Sequence, residues 1–252
     1  MTSPHLTILT GASRGMGHAM ATQLIAAGHD LLCISRNTND PLAGQASRQG
    51  VSCEQWAHDL SRPESAAAKL ETWLSRRDGT ALASVTLINN AGLLPRIAAL
   101  GNIPARELSD ALRVDLEAPM LMAGAFLRST AAWKAQRRVL NISSGLGRRA
   151  MASQAAYCSA KAGMDHFSRC VALEEAGHAN GAKICSLAPG VIDTDMQVLL
   201  RTPDSSQFPD VGSFIGMKDK GALASPQEAA AKVLAFLARP DFGANPVADI
   251  RD

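Results

Sequence analysis

No stretch of this chain stays apolar long enough to cross a bilayer. The longest such run, around Ala118–Leu127, is about half of the roughly 20 residues a spanning helix needs. Charge of neither sign dominates: 25 Lys and Arg stand against 23 Asp and Glu, a net charge of +2. That balance excludes the basic footprint of a nucleic-acid-binding domain. CxxC pairs are missing, and the five cysteines (Cys33, Cys53, Cys158, Cys170 and Cys185) are an odd number, all in apolar stretches. We read them as reduced core residues of a cytosolic protein rather than a disulfide framework, and expect no metal site. The first strand starts within a few residues of Met1, so no leader is expected. Repeats, low-complexity tracts and interdomain linkers are also lacking.

What is present suits one large globular domain spanning residues 1–252, with 46% hydrophobic and 19% charged residues. Short apolar runs at His5–Thr10, Asp30–Ser35, Val51–Ala57, Val85–Asn89, Arg138–Ser143 and Ala182–Leu187 read as strands. Between them, Met16–Ala27, Pro63–Arg77, Pro104–Ala132 and Ser153–Ala176 read as helices. A last helix, Pro226–Ala238, leads to a strand at Val247–Ile250. This alternation predicts an α/β fold, a doubly wound parallel sheet of about seven strands (Rossmann type) with helices on both faces. Ligands bind such sheets at the carboxyl ends of the strands. The segment Asp195–Ala224, rich in Ser, Asp, Pro and Gly, reads as one long irregular loop, a substrate lid.

The first strand–helix junction carries Thr10-Gly11-Ala12-Ser13-Arg14-Gly15-Met16-Gly17. Glycines let the backbone turn tightly against a pyrophosphate, and the helix N-terminus offers it unpaired N–H groups. The end of the second strand should choose between cofactors, since an acid there binds a ribose 2′-hydroxyl. This chain has Ser35-Arg36-Asn37 instead, with Arg14 nearby in the turn. Two guanidinium groups and a small hydroxyl suit a 2′-phosphate, so NADPH is expected; the alternative is that Arg36 is a solvated strand-end charge.

Farther on, Ser144 stands in Asn141-Ile142-Ser143-Ser144-Gly145, ahead of Tyr157 and Lys161. The four-residue step from Tyr157 to Lys161 puts both on one helix face, where an ammonium favours the phenolate. With a serine hydroxyl to hold a carbonyl oxygen, this is chemistry for moving a proton at an alcohol or ketone oxygen.

Together with Asp59-Leu60, Asn89-Asn90-Ala91-Gly92 and Pro189-Gly190, these motifs resemble the short-chain dehydrogenase/reductase family from end to end. The resemblance implies that Asp59 and Leu60 flank the adenine and that Asn90, Ala91 and Gly92 line the cofactor. Ile192 and Thr194 fix the carboxamide, Tyr157 is the acid, and Lys161 binds the ribose and tunes the tyrosine. Ser144, thirteen residues before the tyrosine, holds the substrate oxygen, while Ser143 points the other way. Where the family has an Asn that holds a proton-relay water behind the lysine, this chain has Asp115. Either the carboxylate keeps the water and adds a negative charge near Lys161, or it pairs locally and another group carries the relay.

The segments Pro189–Gln197 and Phe242-Gly243-Ala244, with the ending Ala248-Asp249-Ile250-Arg251-Asp252, resemble the sepiapterin reductase and bacterial benzil reductase branch of that family. By that likeness Asp249 anchors an amino-pterin ring, the alternative being a surface carboxylate. Leu93, Leu94, Met151, Met196 and Phe214 are candidates for an apolar pocket, or for ordinary core. The expected activity is NADPH-dependent reduction of a small ketone or 1,2-dicarbonyl. A secondary-alcohol dehydrogenase and a non-catalytic NADPH-binding sensor are the alternatives. The helices Pro104–Ala132 and Ser153–Ala176 are apolar on more than one face, which implies a homodimer or homotetramer.

Overall fold

The computed structural model describes residues 4–252. Seven strands form one sheet in the order β3-β2-β1-β4-β5-β6-β7, every neighbouring pair parallel. They are β1 (His5–Thr10), β2 (His29–Ser35), β3 (Cys53–Ala57), β4 (Ser84–Asn89), β5 (Gln136–Ile142), β6 (Lys183–Ala188) and β7 (Val247–Asp249). The strand order reverses between β1 and β4, which opens a crevice at their carboxyl ends.

Alternation along each strand feeds two cores. Ile8, Leu32, Ile34, Leu87 and Val139 point to the face covered by α3 (Pro63–Ser75), α5 (Ala118–Thr130) and part of α6 (Ala155–Ala176). Leu9, Leu31, Cys33, Ile88 and Leu140 point to the opposite face. There α1 (Gly15–Ala26), α2 (Asp40–Gln49) and α9 (Pro226–Leu237) cover them. Strands buried on both faces explain the near-continuous apolar runs in the sequence. The α9 start is fixed by a capping box in which Ser225 accepts from the Glu228 amide and Glu228 accepts from that of Ser225.

Four expectations need correction. The long helix Pro104–Ala132 is α4 (Ala105–Leu112), a π-helical turn over Arg113–Glu117, and then α5. Pro119 has no N–H to give the carbonyl four residues back, at Asp115, so the helix widens there. Ser153 is not helical: its φ of 62° is left-handed, and α6 begins only at Ala155. The Asp195–Ala224 segment is not irregular throughout, since it holds α7 (Asp195–Leu200) and α8 (Val211–Asp219). Leu200, Phe208, Val211 and Phe214 bury a small core of their own with Ile97, and Phe208 stacks on Phe214 at 5.5 Å. Finally, only Cys33 and Cys185 are buried; Cys53 and Cys158 are half-buried, and Cys170 is exposed. Among the described residues, no helix is long and apolar enough to cross a membrane.

Candidate active site

A cleft of about 1050 Å³ runs along the carboxyl ends of the strands. Its wall includes the glycine turn (Gly11, Ser13, Arg14, Gly15, Met16 and Gly17), Arg36, and Asn90-Ala91-Gly92. Ser144, Tyr157, Lys161 and the segment Pro189–Gln197 continue it.

The turn is tied to β4 by a closed set of hydrogen bonds. The Thr10 hydroxyl accepts from the amides of Asn90 and Ala91, both at 3.0 Å, and the Asn90 side chain donates to the carbonyls of Thr10 and Gly11. Gly17 admits no side chain, because a Cβ there would sit 2.1 Å from the Gly11 carbonyl oxygen. Helix α1 therefore starts hard against the turn. Its first turn has no side-chain cap and no acidic residue, which leaves the N–H groups and the positive helix end facing the cleft. That is an arrangement ready to take a pyrophosphate. The Gly15 position lies beside Thr194, whose methyl a Cβ would meet at 3.6 Å.

Residues at the end of β2 divide. Arg36 lines the cleft. Ser35 lines it too, but its hydroxyl braces the glycine turn by accepting from the Ala12 amide at 2.8 Å. Asn37 is exposed and lies outside the cleft wall, because the chain leaves the sheet after Ser35. Arg14 forms an ion pair with Asp195, the first residue of α7, across the cleft mouth. Leu60 is buried. Asp59 lies in the wall with its carboxyl lowered, chiefly by the Ser61 amide and further by Arg36.

At the inner end, Ser144 caps a 3₁₀ turn, its hydroxyl accepting from the Leu146 amide at 3.1 Å. Ser143 is turned away, its hydroxyl donating to Asp165 at 2.6 Å. Tyr157, the only tyrosine in the chain, is buried with Lys161 on α6. The Lys161 ammonium lies 5.6 Å from the phenol ring centre and donates to the Ile142 carbonyl at 3.0 Å. Burial pushes the Tyr157 phenol above its ordinary range; Asp115 adds to that, and the neighbouring Ser144 hydroxyl opposes it.

Asp115 is fully buried behind the cleft wall, on the π-helical turn. One oxygen accepts from the Leu93 amide at 2.8 Å, and the other has no partner among the described residues. Burial raises its carboxyl to about 6, against the pull of Lys161 and of the Leu93 amide.

Matching the expected motifs, residues 5–204 fit the family described as short chain dehydrogenase. The chain is 33% identical over 235 residues to a benzil reductase ((S)-benzoin forming) of Bacillus cereus, covering 93% of this chain and 94% of that protein. The chain belongs to the short-chain dehydrogenase/reductase family. It is also 31% identical over 244 residues to the sepiapterin reductase of Xenopus tropicalis, covering 92% of this chain and 90% of that protein. A 3-oxoacyl-[acyl-carrier protein] reductase of Brucella melitensis, solved in complex with NAD, shares the fold. Its TM-score is 0.80 at 20% identity, over 99% of this chain and 96% of the other. Short-chain dehydrogenases/reductases are oxidoreductases that act on CH–OH or C=O groups with a nicotinamide cofactor. The one cleft holds the uncapped N-terminus of α1 and the side chains of Ser144, Tyr157 and Lys161.

Leu93, Leu94, Met151, Met196 and Phe214, the candidates for an apolar pocket, all lie in the cleft wall. Leu94, Met151 and Met196 also pack on the small core around Phe214. Asp249 lies in the wall as well, but both of its oxygens are taken by Arg251, at 2.7 and 2.6 Å. The sequence reading missed Gln154, Arg149 and Met217, which also line the cleft. Gln154, three residues before Tyr157, was open to the helical-spacing argument already used for Lys161.

Proposed function

We propose that this protein is an NADPH-dependent carbonyl reductase that converts a small ketone or 1,2-dicarbonyl, of benzil or sepiapterin type, to the alcohol. One observation carries the reading: a buried tyrosine, a buried lysine and a serine hydroxyl stand in the same cleft as an uncapped helix N-terminus and Arg36. The bound cofactor would supply the hydride. The glycine turn from Gly11 to Gly17 would hold its pyrophosphate, Arg36 its 2′-phosphate, and Asp59 with Leu60 the adenine. Asn90, Ala91, Gly92, Pro189, Gly190, Ile192 and Thr194 would bound its nicotinamide half.

Ser144 holds the substrate oxygen against Tyr157, and the Tyr157 hydroxyl donates the proton. Lys161 binds the ribose and draws the phenol toward ionisation. Burial and Asp115 hold the phenol in its protonated form, the form that donates to a carbonyl oxygen during reduction. A sensor that only binds NADPH has no use for that arrangement. Arg251, by occupying Asp249, leaves the pocket suited to a dicarbonyl more than to an amino-pterin ring. Met120 on α5 and Leu173 on α6 are exposed, so these helices are where two or four copies would pair.

NADPH oxidation by purified protein against benzil, sepiapterin, diacetyl and simple ketones tests the reading. Turnover of at least one dicarbonyl is expected, and turnover of none would overturn the substrate class.

A further inference from the structure

Asp165 collects contacts from three parts of the fold that the reductive chemistry does not itself use. One of its oxygens accepts from the hydroxyls of Ser143 (2.6 Å) and Ser186 (2.7 Å), and the other from Arg148 Nε at 3.1 Å. Asp165 lies one helical turn beyond Lys161 and two beyond Tyr157, on the same face of α6. Ser143 and Arg148 bracket Ser144 and the 3₁₀ turn it caps. Between them, the loop lies directly on α6: a Cβ on Gly147 would meet the Lys161 carbonyl oxygen at 2.9 Å and an Asp165 oxygen at 3.1 Å.

Arg148 also reaches the C-terminal strand. Its Nη2 donates to the Ala248 carbonyl at 2.8 Å, and its Nη1 lies 3.8 Å from Asp249. The guanidinium thus joins the Ser144 loop, the helix carrying Tyr157 and Lys161, and β7. Asp165 is almost wholly buried, and Arg148 is the cation placed against it.

We propose that Arg148 is a positioning residue, holding the Ser144 loop on α6 through Asp165 and on β7 through Ala248, so that Ser144 keeps its place beside Tyr157. This rests on the reading of Ser144, Tyr157 and Lys161 as the reducing site. It goes further in giving the Ala248 carbonyl of the last strand, which lies outside the cleft wall, a part in catalysis. A serine displaced by about 1 Å costs on the order of 100-fold in rate, whereas the cofactor end of the cleft does not depend on this network.

The test uses the full-length protein with NADPH and benzil, comparing wild type, Arg148→Met, Arg148→Lys, Ser144→Ala and the double variant Ser144→Ala/Arg148→Met. Arg148→Met should lower kcat about 10- to 100-fold per folded molecule, with NADPH Kd, read by fluorescence, unchanged within about twofold. Arg148→Lys restores the charge opposite Asp165 without the reach to Ala248, so its kcat should lie in between. In the Ser144→Ala background, Arg148→Met should cost less than about twofold more, since the serine it positions is gone. Full kcat in Arg148→Met, or losses that multiply in the double variant, would overturn the proposal while leaving an active wild type and the site reading intact. If Arg148→Met does not fold, Arg148→Lys with and without Ser144→Ala carries the same comparison. Wild-type turnover that survives Tyr157→Phe would overturn the site reading, and this inference with it.

Discussion

Asp115 accepts a hydrogen bond from the Leu93 amide with one oxygen and leaves the other buried without a partner among the described residues. A carboxylate so placed is short of what its charge requires, and its carboxyl accordingly rises to about 6. The contact fixes the backbone at the cleft wall next to Gly92, and the Asp115 charge also raises the Tyr157 phenol.

A pH dependence of stability follows. From an ordinary value of 3.8 to about 6, the folded protein keeps a proton that the unfolded chain has released. Stability therefore falls as pH rises through that window. The cost is absent below it and complete above it, roughly 3 kcal/mol for a shift of about two units. Asp115→Asn has no such ionisation. Thermal unfolding of the ligand-free proteins should show the variant gaining on wild type from about pH 4 to about pH 6, with a nearly constant difference above that. A difference independent of pH would contradict the raised carboxyl.

With one tyrosine in the chain, the ultraviolet absorbance change on phenolate formation reports Tyr157 alone. In ligand-free protein its midpoint should lie above the ordinary phenol value near 10. Asp115→Asn should move it down, by removing a negative charge, and Ser144→Ala should move it up, by removing a neighbouring hydroxyl that favours the phenolate. Shifts of opposite sign in these two variants are the distinguishing result.

The proposed preference for NADPH rests on Arg36, with Arg14 tied to Asp195. Arg36→Ala should cut the preference for NADPH over NADH about 10- to 100-fold, the range expected for one charge-assisted hydrogen bond. Arg14 is held by Asp195, so Asp195→Asn should release it and tighten NADPH a few-fold while leaving NADH unchanged. The pair is largely solvent-exposed, so the Asp195→Asn effect should shrink at high salt.

Much of this was readable in the sequence because the decisive spacings are local. The glycine turn is fixed within one strand–helix junction, and Tyr157 and Lys161 within one helical turn. The helices α2, α7 and α8 escaped because they are short and bury few side chains each, such as Leu42 and Ala46 on α2. Arg148 with Asp165, and Arg14 with Asp195, could not be seen either. Their partners are 17 and 181 residues apart, and nothing in the spacing of charged residues distinguishes such a pair from solvated surface charge. Asn37 was placed by its neighbours in sequence, and the chain turns away from the cleft before reaching it.

The most direct test of the account is the rate of NADPH oxidation with benzil by wild type and by Tyr157→Phe, with NADPH binding measured on both. The account predicts turnover by wild type, a kcat about 10²- to 10⁴-fold lower in the variant, and NADPH binding unchanged within about twofold. A Tyr157→Phe enzyme as fast as wild type would contradict it.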